Sequence, residues 1–339
     1  MPLEWIMSTI LRRCFAALLL IGLGLFWAVP THATNITCTT SMGALSFGTV
    51  SPLLSQTSAS AQLTYTCSNS SSTTYSAALC FSIGEPGGNQ TNPRQMKRST
   101  SNNYLNFQLY QDPAYSIVWG SAYFGSNTPL MVKVTVTKGA PVSGSATLYG
   151  QVLAGQTTAR TGNYSDDYQN GDTALAINEV SGSGPPGSCA GAVQQTSYFP
   201  FNVTATVANV CAVSAGATLN FGTVASTATN LSGSNTITVA CPTGTAYYVG
   251  LAPSNGDMAG AGTMKGTGSN PDQVPYQLRS ASGMNGKIWG NTATSTQVGN
   301  GVAGNGNGSG QSLTVYATTP SANFTPDTYT DTVTINVNY

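Results

Sequence analysis

Polar and apolar positions alternate with a period of two in several short stretches of this chain. At 199–207 the side chains of Phe199, Phe201, Val203, Ala205 and Val207 fall on one face, with Asn202, Thr204 and Thr206 on the other. The stretch 131–137 places Val132, Val134 and Val136 opposite Lys133, Thr135 and Thr137. At 329–339 the odd positions carry Tyr329, Val333, Ile335, Val337 and Tyr339, interrupted by Asp331, and the even ones carry Thr and Asn. Such alternation predicts half-buried β-strands. Segments 148–153 and 312–317 are further strands, and Gly-, Asn- and Pro-rich turns separate them. Only 6% of residues are charged, so the polar faces needed by long amphipathic helices are missing. An all-β chain follows.

The strands come in two sets, because residues 211–241 repeat residues 38–67. Cys38, Leu45-Ser46-Phe47-Gly48-Thr49-Val50 and Cys67 return as Cys211, Leu219-Asn220-Phe221-Gly222-Thr223-Val224 and Cys241. Val118-Trp119-Gly120 returns as Ile288-Trp289-Gly290, and Tyr164-Ser165-Asp166 as Tyr329-Thr330-Asp331. A repeat of this length is a copied domain rather than a solenoid unit. The expectation is two immunoglobulin-like β-sandwich domains, 34–208 and 209–339. The Gly/Asn-rich stretches 255–268 and 300–310 read as mobile loops with no packing role. The copies differ at their ends. After its tyrosine turn the first has the strand at 199–207, and the second has no counterpart unless its pattern conceals one. The C-terminal domain is therefore expected to be incomplete, missing its last strand, with an open groove at Val333, Ile335, Val337 and Tyr339. An open edge of this kind aggregates unless an extended strand from another chain fills it.

The first 33 residues read as an export signal: Arg12 and Arg13, an apolar run at 15–29, then a small-residue cleavage site, Thr31-His32-Ala33. Its removal takes away Cys14 and His32, the chain's single histidine. The six remaining cysteines read as three disulfides of an oxidising compartment. The duplication pairs Cys38 with Cys67 and Cys211 with Cys241, which leaves Cys80 for Cys189. Without histidine or free thiols, Ser-His-Asp and Cys-His catalysis and His-ligated metals are excluded, and no cofactor is implied. Net charge is zero and the densest basic cluster is Arg94, Lys97 and Arg98, so nucleic acid is not a partner. Carboxylates remain for chemistry. Asp166 with Asp167, or Glu85 with Glu179, would be the pair of a glycoside hydrolase. Adjacent aspartates on a strand point to opposite faces, however, and Asp331 repeats Asp166 at the same turn.

The opening Cys-x-Val-x₃-Ala-x-Leu-x-Phe-Gly-x-Val at 211–224 and the ending Tyr-x-Asp-x-Val-x-Ile-x-Val-x-Tyr at 329–339 resemble the spore coat protein U domain family. That family includes the pilins of archaic chaperone–usher pili, and a two-domain member of this size resembles the pilus tip adhesin. The resemblance implies a protein exported via the periplasm to the cell surface, acting in attachment and biofilm formation. Its partners would be a periplasmic chaperone, an outer-membrane usher, the adjacent pilin subunit and an abiotic or host surface. It implies a second domain completed by a donor strand, and surface-gripping loops on the first domain. Tyr115, Ile117, Val118, Tyr123 and Phe124 are the candidates there, whereas Trp119 matches Trp289 and belongs to the core. Polar loops at 84–93 and 180–187 would suit a glycan instead. A shaft pilin, a coat-like surface protein and a secreted glycoside hydrolase are the alternatives.

Overall fold

The computed structural model describes residues 34–86, 92–123, 128–195 and 197–339. The expected export signal and Phe124 lie outside them. The alternating segments form strands, and no α-helix occurs among the described residues. The first copy supplies β1 (Ile36–Met42), β2 (Leu45–Val50), β3 (Thr57–Asn69), β4 (Tyr75–Ile83), β5 (Arg94–Arg98) and β6 (Tyr104–Tyr110). It continues with β7 (Leu130–Val136), β8 (Val142–Val152), β9 (Gly162–Tyr168), β10 (Thr173–Ser181), β11 (Val193–Gln194) and β12 (Phe201–Val207). The second copy supplies β13 (Ala212–Ala215), β14 (Thr229–Ala240), β15 (Ala246–Pro253), β16 (Ala261–Lys265), β17 (Gln273–Arg279), β18 (Val302–Asn305), β19 (Gly310–Ser321) and β20 (Val333–Asn338).

Each copy is a two-sheet sandwich. In the first, an eight-stranded sheet ordered β1-β3-β8-β6-β5-β9-β12-β2 faces a four-stranded sheet ordered β11-β10-β4-β7. In the second, the sheets are β13-β14-β19-β17-β16 and β18-β15-β20. The orders superpose strand for strand up to β5 and β16, and differ beyond. The alternation at 199–207 has the consequence its pattern requires: Phe201, Val203, Ala205 and Val207 are all buried, and Asn202 and Thr206 are exposed. Phe201 stacks on Tyr168, with ring centroids 4.6 Å apart.

Two shared anchors set the frame in both copies. Trp119 and Trp289 are fully buried, and their indole Nε1 atoms donate to the Phe81 and Val249 carbonyls at 2.8 Å. Tyr164 Oη donates to the Arg160 carbonyl at 2.8 Å, and Tyr329 Oη to the Thr325 carbonyl at 2.6 Å. A tyrosine bonding back to the backbone four residues upstream is the tyrosine corner of immunoglobulin-like sandwiches. Disulfides join Cys38 to Cys67 across β1 and β3, Cys80 to Cys189, and Cys211 to Cys241. Closing loops of about 30 residues, as the first and third do, is worth roughly 3–4 kcal/mol in the chain-entropy model.

The Gly-rich stretches 255–268 and 300–310 are not the unpacked loops their composition suggests. They contain β16 and β18, and β19 begins at Gly310. Glycine is needed there because aromatic groups and backbone come too close for a side chain. A Cβ on Gly262 would lie 2.1 Å from the Tyr276 ring, and one on the buried Gly260 would lie 2.2 Å from the Trp289 carbonyl oxygen. Gly260 also has φ +78°, a conformation that side-chain-bearing residues rarely adopt. Gly260→Ala is therefore expected to lower the stability of the second sandwich by about 2–3 kcal/mol, from overpacking and backbone strain together. Chemical denaturation of the variant checks this, and a change within about 0.5 kcal/mol would restore the mobile-loop reading.

Candidate functional site

The two sandwiches part company at one strand position. In the first, β12 lies between β9, to which it is antiparallel, and β2, to which it is parallel. The second copy retains both neighbours in sequence. The bridge Lys265↔Thr330 repeats the pairing Lys97↔Ser165, so residues 329–331 occupy the place of β9. Residues 219–224 correspond to β2, but they form no strand. No strand lies between the two among the described residues.

The vacancy is visible in burial. Leu45, Phe47 and Val50 of β2 are 0%, 6% and 1% exposed beside β12 in the same sheet. Their counterparts Leu219 and Phe221 are only half-buried, and Val224 is 40% exposed. A groove of about 620 Å³ opens here, walled by residues 219–224 on one side and 324–329 on the other, with Leu231, Met264 and Val274 along its floor. Asp327, on its rim, accepts from the Thr267 amide at 2.8 Å and from Asn270 Nδ2 at 2.8 Å. Hydrogen bonds from Thr267 and Asn270 hold its carboxyl down at about 2. Asp331, the counterpart of Asp166, accepts from Tyr276 Oη at 2.5 Å.

The groove expected at Val333, Ile335, Val337 and Tyr339 is thus centred elsewhere. The first three lie on or pack through β20, which pairs with β15 and sits against the core, and Tyr339 is 41% exposed. None of the four lines the 620 Å³ groove. The outer edge of β20 is nonetheless unpaired among the described residues, where the matching edge of β10 carries β11. Leu219, Phe221, Val224 and Phe324 were not singled out in the sequence. The signal that finds them is the repeat itself, since the first three align with Leu45, Phe47 and Val50 of β2, the strand that β12 pairs with.

Of the candidate loop residues, the structure brings Tyr115, Ile117 and Val118 together in one turn after β6. Asp112 organises it by accepting from the Ile117 amide at 2.7 Å and from Ser116, bonds that pull its carboxyl below the usual range. Tyr115 takes a left-handed conformation, φ +55°, and meets Tyr110 and Tyr149 edge-on at 5.5 and 6.4 Å. Ile117 is 50% exposed, and its counterpart is Lys287. Val118 is half-buried and bridges to Tyr110. Tyr123, 43% exposed, stands apart beside a cavity of about 150 Å³ with Ser82 and Asp172.

The carboxylates considered for catalysis are committed to structure. Glu179 accepts from the Asn35 and Ile36 amides at 2.7 and 2.8 Å. Glu85 Oε2 lies 3.1 Å from Nε of Arg94, a buried arginine that also donates to the carbonyls of Ile83, Gly84 and Trp119. Asp166 and Asp167 lie on a strand with Asp166 half-buried and Asp167 exposed. Burial pushes Glu85 up to about 8 against the pull of Arg94, and Asp166 up to about 6. Both folded-state values lie above the unfolded ones, so the folded first sandwich retains protons that the unfolded chain releases. The contribution of these two groups to its stability is therefore full below about pH 4 and is lost as pH rises through about 6 and then about 8. Thermal unfolding between pH 5 and 9 should show this decline, and Glu85→Gln should flatten its upper part.

The Spore Coat Protein U domain model matches residues 27–169 and 197–336. No curated protein sequence matches the chain. Among solved structures, a chain of the CsuC–CsuE chaperone–tip adhesion subunit pre-assembly complex from archaic chaperone–usher Csu pili of Acinetobacter baumannii is 16% identical. The alignment covers 89% of this chain and 100% of that one, with a TM-score of 0.48. The CupB6 tip adhesin of Pseudomonas aeruginosa is 10% identical over 90% of this chain and 95% of its own, with a TM-score of 0.32. CfaE, the adhesive subunit of CFA/I fimbria of enterotoxigenic Escherichia coli, is 9% identical over 77% and 81%, with a TM-score of 0.30. Matched over both of its repeats, the chain belongs to the Spore Coat Protein U domain family.

Proposed function

We propose that this protein is an exported tip subunit of a chaperone–usher pilus, mediating surface attachment and biofilm formation. The observation that carries the reading is the vacant strand position between residues 219–224 and 324–331. A groove with Leu219, Phe221, Val224 and Phe324 on its walls beside unpaired backbone is a standing aggregation hazard unless a strand is supplied to it. In this reading a periplasmic chaperone supplies one first, and the adjacent pilin subunit replaces it at the outer-membrane usher. Donor-strand complementation of this kind gives affinity through main-chain hydrogen bonds and specificity through pockets for alternate side chains. The first sandwich supports a terminal position. Its β12 occupies the place just before Cys211 from which a one-domain subunit would donate, and it is fully engaged within its own sheet. A subunit that accepts a strand and gives none sits at an end.

In the same reading, attachment belongs to the first sandwich. Ile117, with Tyr115 and Val118 in the same turn, forms the apolar contact; Tyr123, which stands apart from them, and Phe124 are part of the same proposal. Burying such residues against a hydrophobic surface yields about 25 cal/mol per Å² of apolar area. The family's members are structural and adhesive proteins, not enzymes, and the committed carboxylates fit a non-catalytic role. A shaft pilin is disfavoured by the sequestered β12.

Phe221→Asp with Val224→Asp places charge on one wall of the groove. Co-expression with the cognate chaperone and pull-down should show at least about a tenfold loss of complex, since two buried charges cost several kcal/mol. Unfolding of the first sandwich should not change. Undiminished capture would remove the acceptor reading. Separately, Tyr115→Ser with Ile117→Ser should reduce adhesion of piliated cells to a hydrophobic plastic several-fold with chaperone capture intact. Unchanged adhesion would move the contact to another surface.

A further inference from the structure

The two sandwiches also differ on the outer face of their smaller sheets, and there the second copy shows what the first has lost. Trp119 and Trp289 donate to the Phe81 and Val249 carbonyls, and the Ile83 and Leu251 amides donate to the Gly120 and Gly290 carbonyls at 3.0 and 2.9 Å. These bonds match Ser82 with Gly250 and Ser121 with Asn291. Across the sheet Ser82 pairs with Ala174, and Gly250 pairs with Asn336, so Ala174 matches Asn336. In the second sandwich this spot is filled. Asn336 Nδ2 donates to Asn291 Oδ1 at 2.9 Å, and Asn291 lies so close to Gly250 that a Cβ there would collide with its side-chain oxygen. In the first sandwich the two asparagines give way to the shorter Ser121 and Ala174, and these line the cavity of about 150 Å³ beside Tyr123.

Ser82 and Ala174 project outward, because their strand neighbours Phe81, Ile83 and Leu175 belong to the core. Farther along this face Met131, Cys189 and Ala192 pack on Ala78, Cys80 and Ala176, and the Cys80–Cys189 disulfide holds that cover down. The opening is thus confined to one end of the sheet, with Asp172, Gln194 and Tyr123 around it.

The hydrogen-bonding capacity left there describes an occupant. Ser82 and Ser121 are 1% and 3% exposed. Their oxygens accept from the Ala122 and Tyr123 amides at 3.1 and 3.0 Å, and neither hydroxyl donates to a group among the described residues. A buried donor without an acceptor is costly. Asp172 accepts from the Gln169 amide at 2.8 Å through one carboxylate oxygen, and its other oxygen has no partner among the described residues. An occupant that accepts from two hydroxyls and donates to a carboxylate satisfies all three. A carboxamide has both capacities, and a carboxamide pair is what Asn291 and Asn336 place at this spot in the second copy. The half-exposed Tyr123 adds an aromatic ring on the solvent side. The volume lies below the roughly 300–1,000 Å³ of drug-sized sites, which suits one small group at the end of a larger ligand.

We propose that this cavity takes the acetamido group of an N-acetylhexosamine residue. The acetamido oxygen accepts from Ser82 and Ser121, its N–H donates to Asp172, and the sugar ring lies against Tyr123. The site needs neither the acceptor groove nor the turn at Ile117.

Saturation-transfer NMR on the full chain tests this with the methyl β-glycosides of N-acetylglucosamine and N-acetylgalactosamine, against methyl glucoside and methyl galactoside. At least one acetamido sugar should bind, with the strongest transfer at its acetyl methyl protons, at least about tenfold more tightly than the sugar lacking that group. The variant Ser82→Gly with Ser121→Asn and Ala174→Asn rebuilds the filling of the second copy, and should lose binding while melting near the parent temperature. Tyr123→Ala leaves the cavity intact and should weaken binding several-fold. Chitotriose and a glycopeptide bearing N-acetylgalactosamine, used in the same way, distinguish a microbial polymer from a host glycan as the source of the group. Binding of neither acetamido sugar, equal binding of the plain sugars, full binding by the filled variant or unchanged binding by Tyr123→Ala would each overturn the proposal.

Discussion

A strand inside a sheet satisfies the backbone of two neighbours at once, and a strand missing from a sheet leaves both unsatisfied. In the first sandwich that double obligation is met by β12, which bonds β9 on one side and β2 on the other while five inward side chains, counting Phe199, close the core. In the second sandwich nothing among the described residues meets it. The irregular course of residues 219–224, the exposure of Val224 and the groove beneath Phe324 all stem from that one vacancy. Two nearly identical sequences thus adopt different local structures because of a neighbour, not because of their own propensities.

Much of this was legible in the residues. Period-two alternation located β12 to within a residue or two, because one of its faces is wholly buried and the other exposed. The repeated cysteines, Trp-Gly pairs and tyrosine turns revealed two sandwiches, since each marks a rigid point of the frame. The groove was misplaced for a definite reason. Alternation at 333–339 signals a half-buried strand, and β20 is one, but alternation says nothing about which edge lacks a partner. That information lies in long-range pairing, and only the comparison of Leu219, Phe221 and Val224 with Leu45, Phe47 and Val50 exposes it.

Composition misled at the glycines. Residues such as Gly260 and Gly262 look like loop formers, yet here they let Trp289 and Tyr276 approach the backbone of a packed strand. The buried Arg94 was equally hidden. Its counterpart by register is Gly262, so the same strand position admits a guanidinium in one copy and a tyrosine ring in the other. No local pattern announces such an exchange, because it is decided by the volume of whatever stands across the sheet.

The geometry of β12 and its vacant counterpart also bears on how a joint made at that position would carry force. Backbone hydrogen bonds in a ladder lie across the strand axis. A chain anchored through a strand seated between residues 219–224 and 329–331 would be pulled along that axis, so every bond in both ladders would be sheared together rather than opened in sequence. Resistance to such loading is governed by the rate of unfolding, not by equilibrium stability. A joint whose thermodynamic strength is modest can then outlast a brief, strong tug, such as flowing liquid gives to a tethered cell.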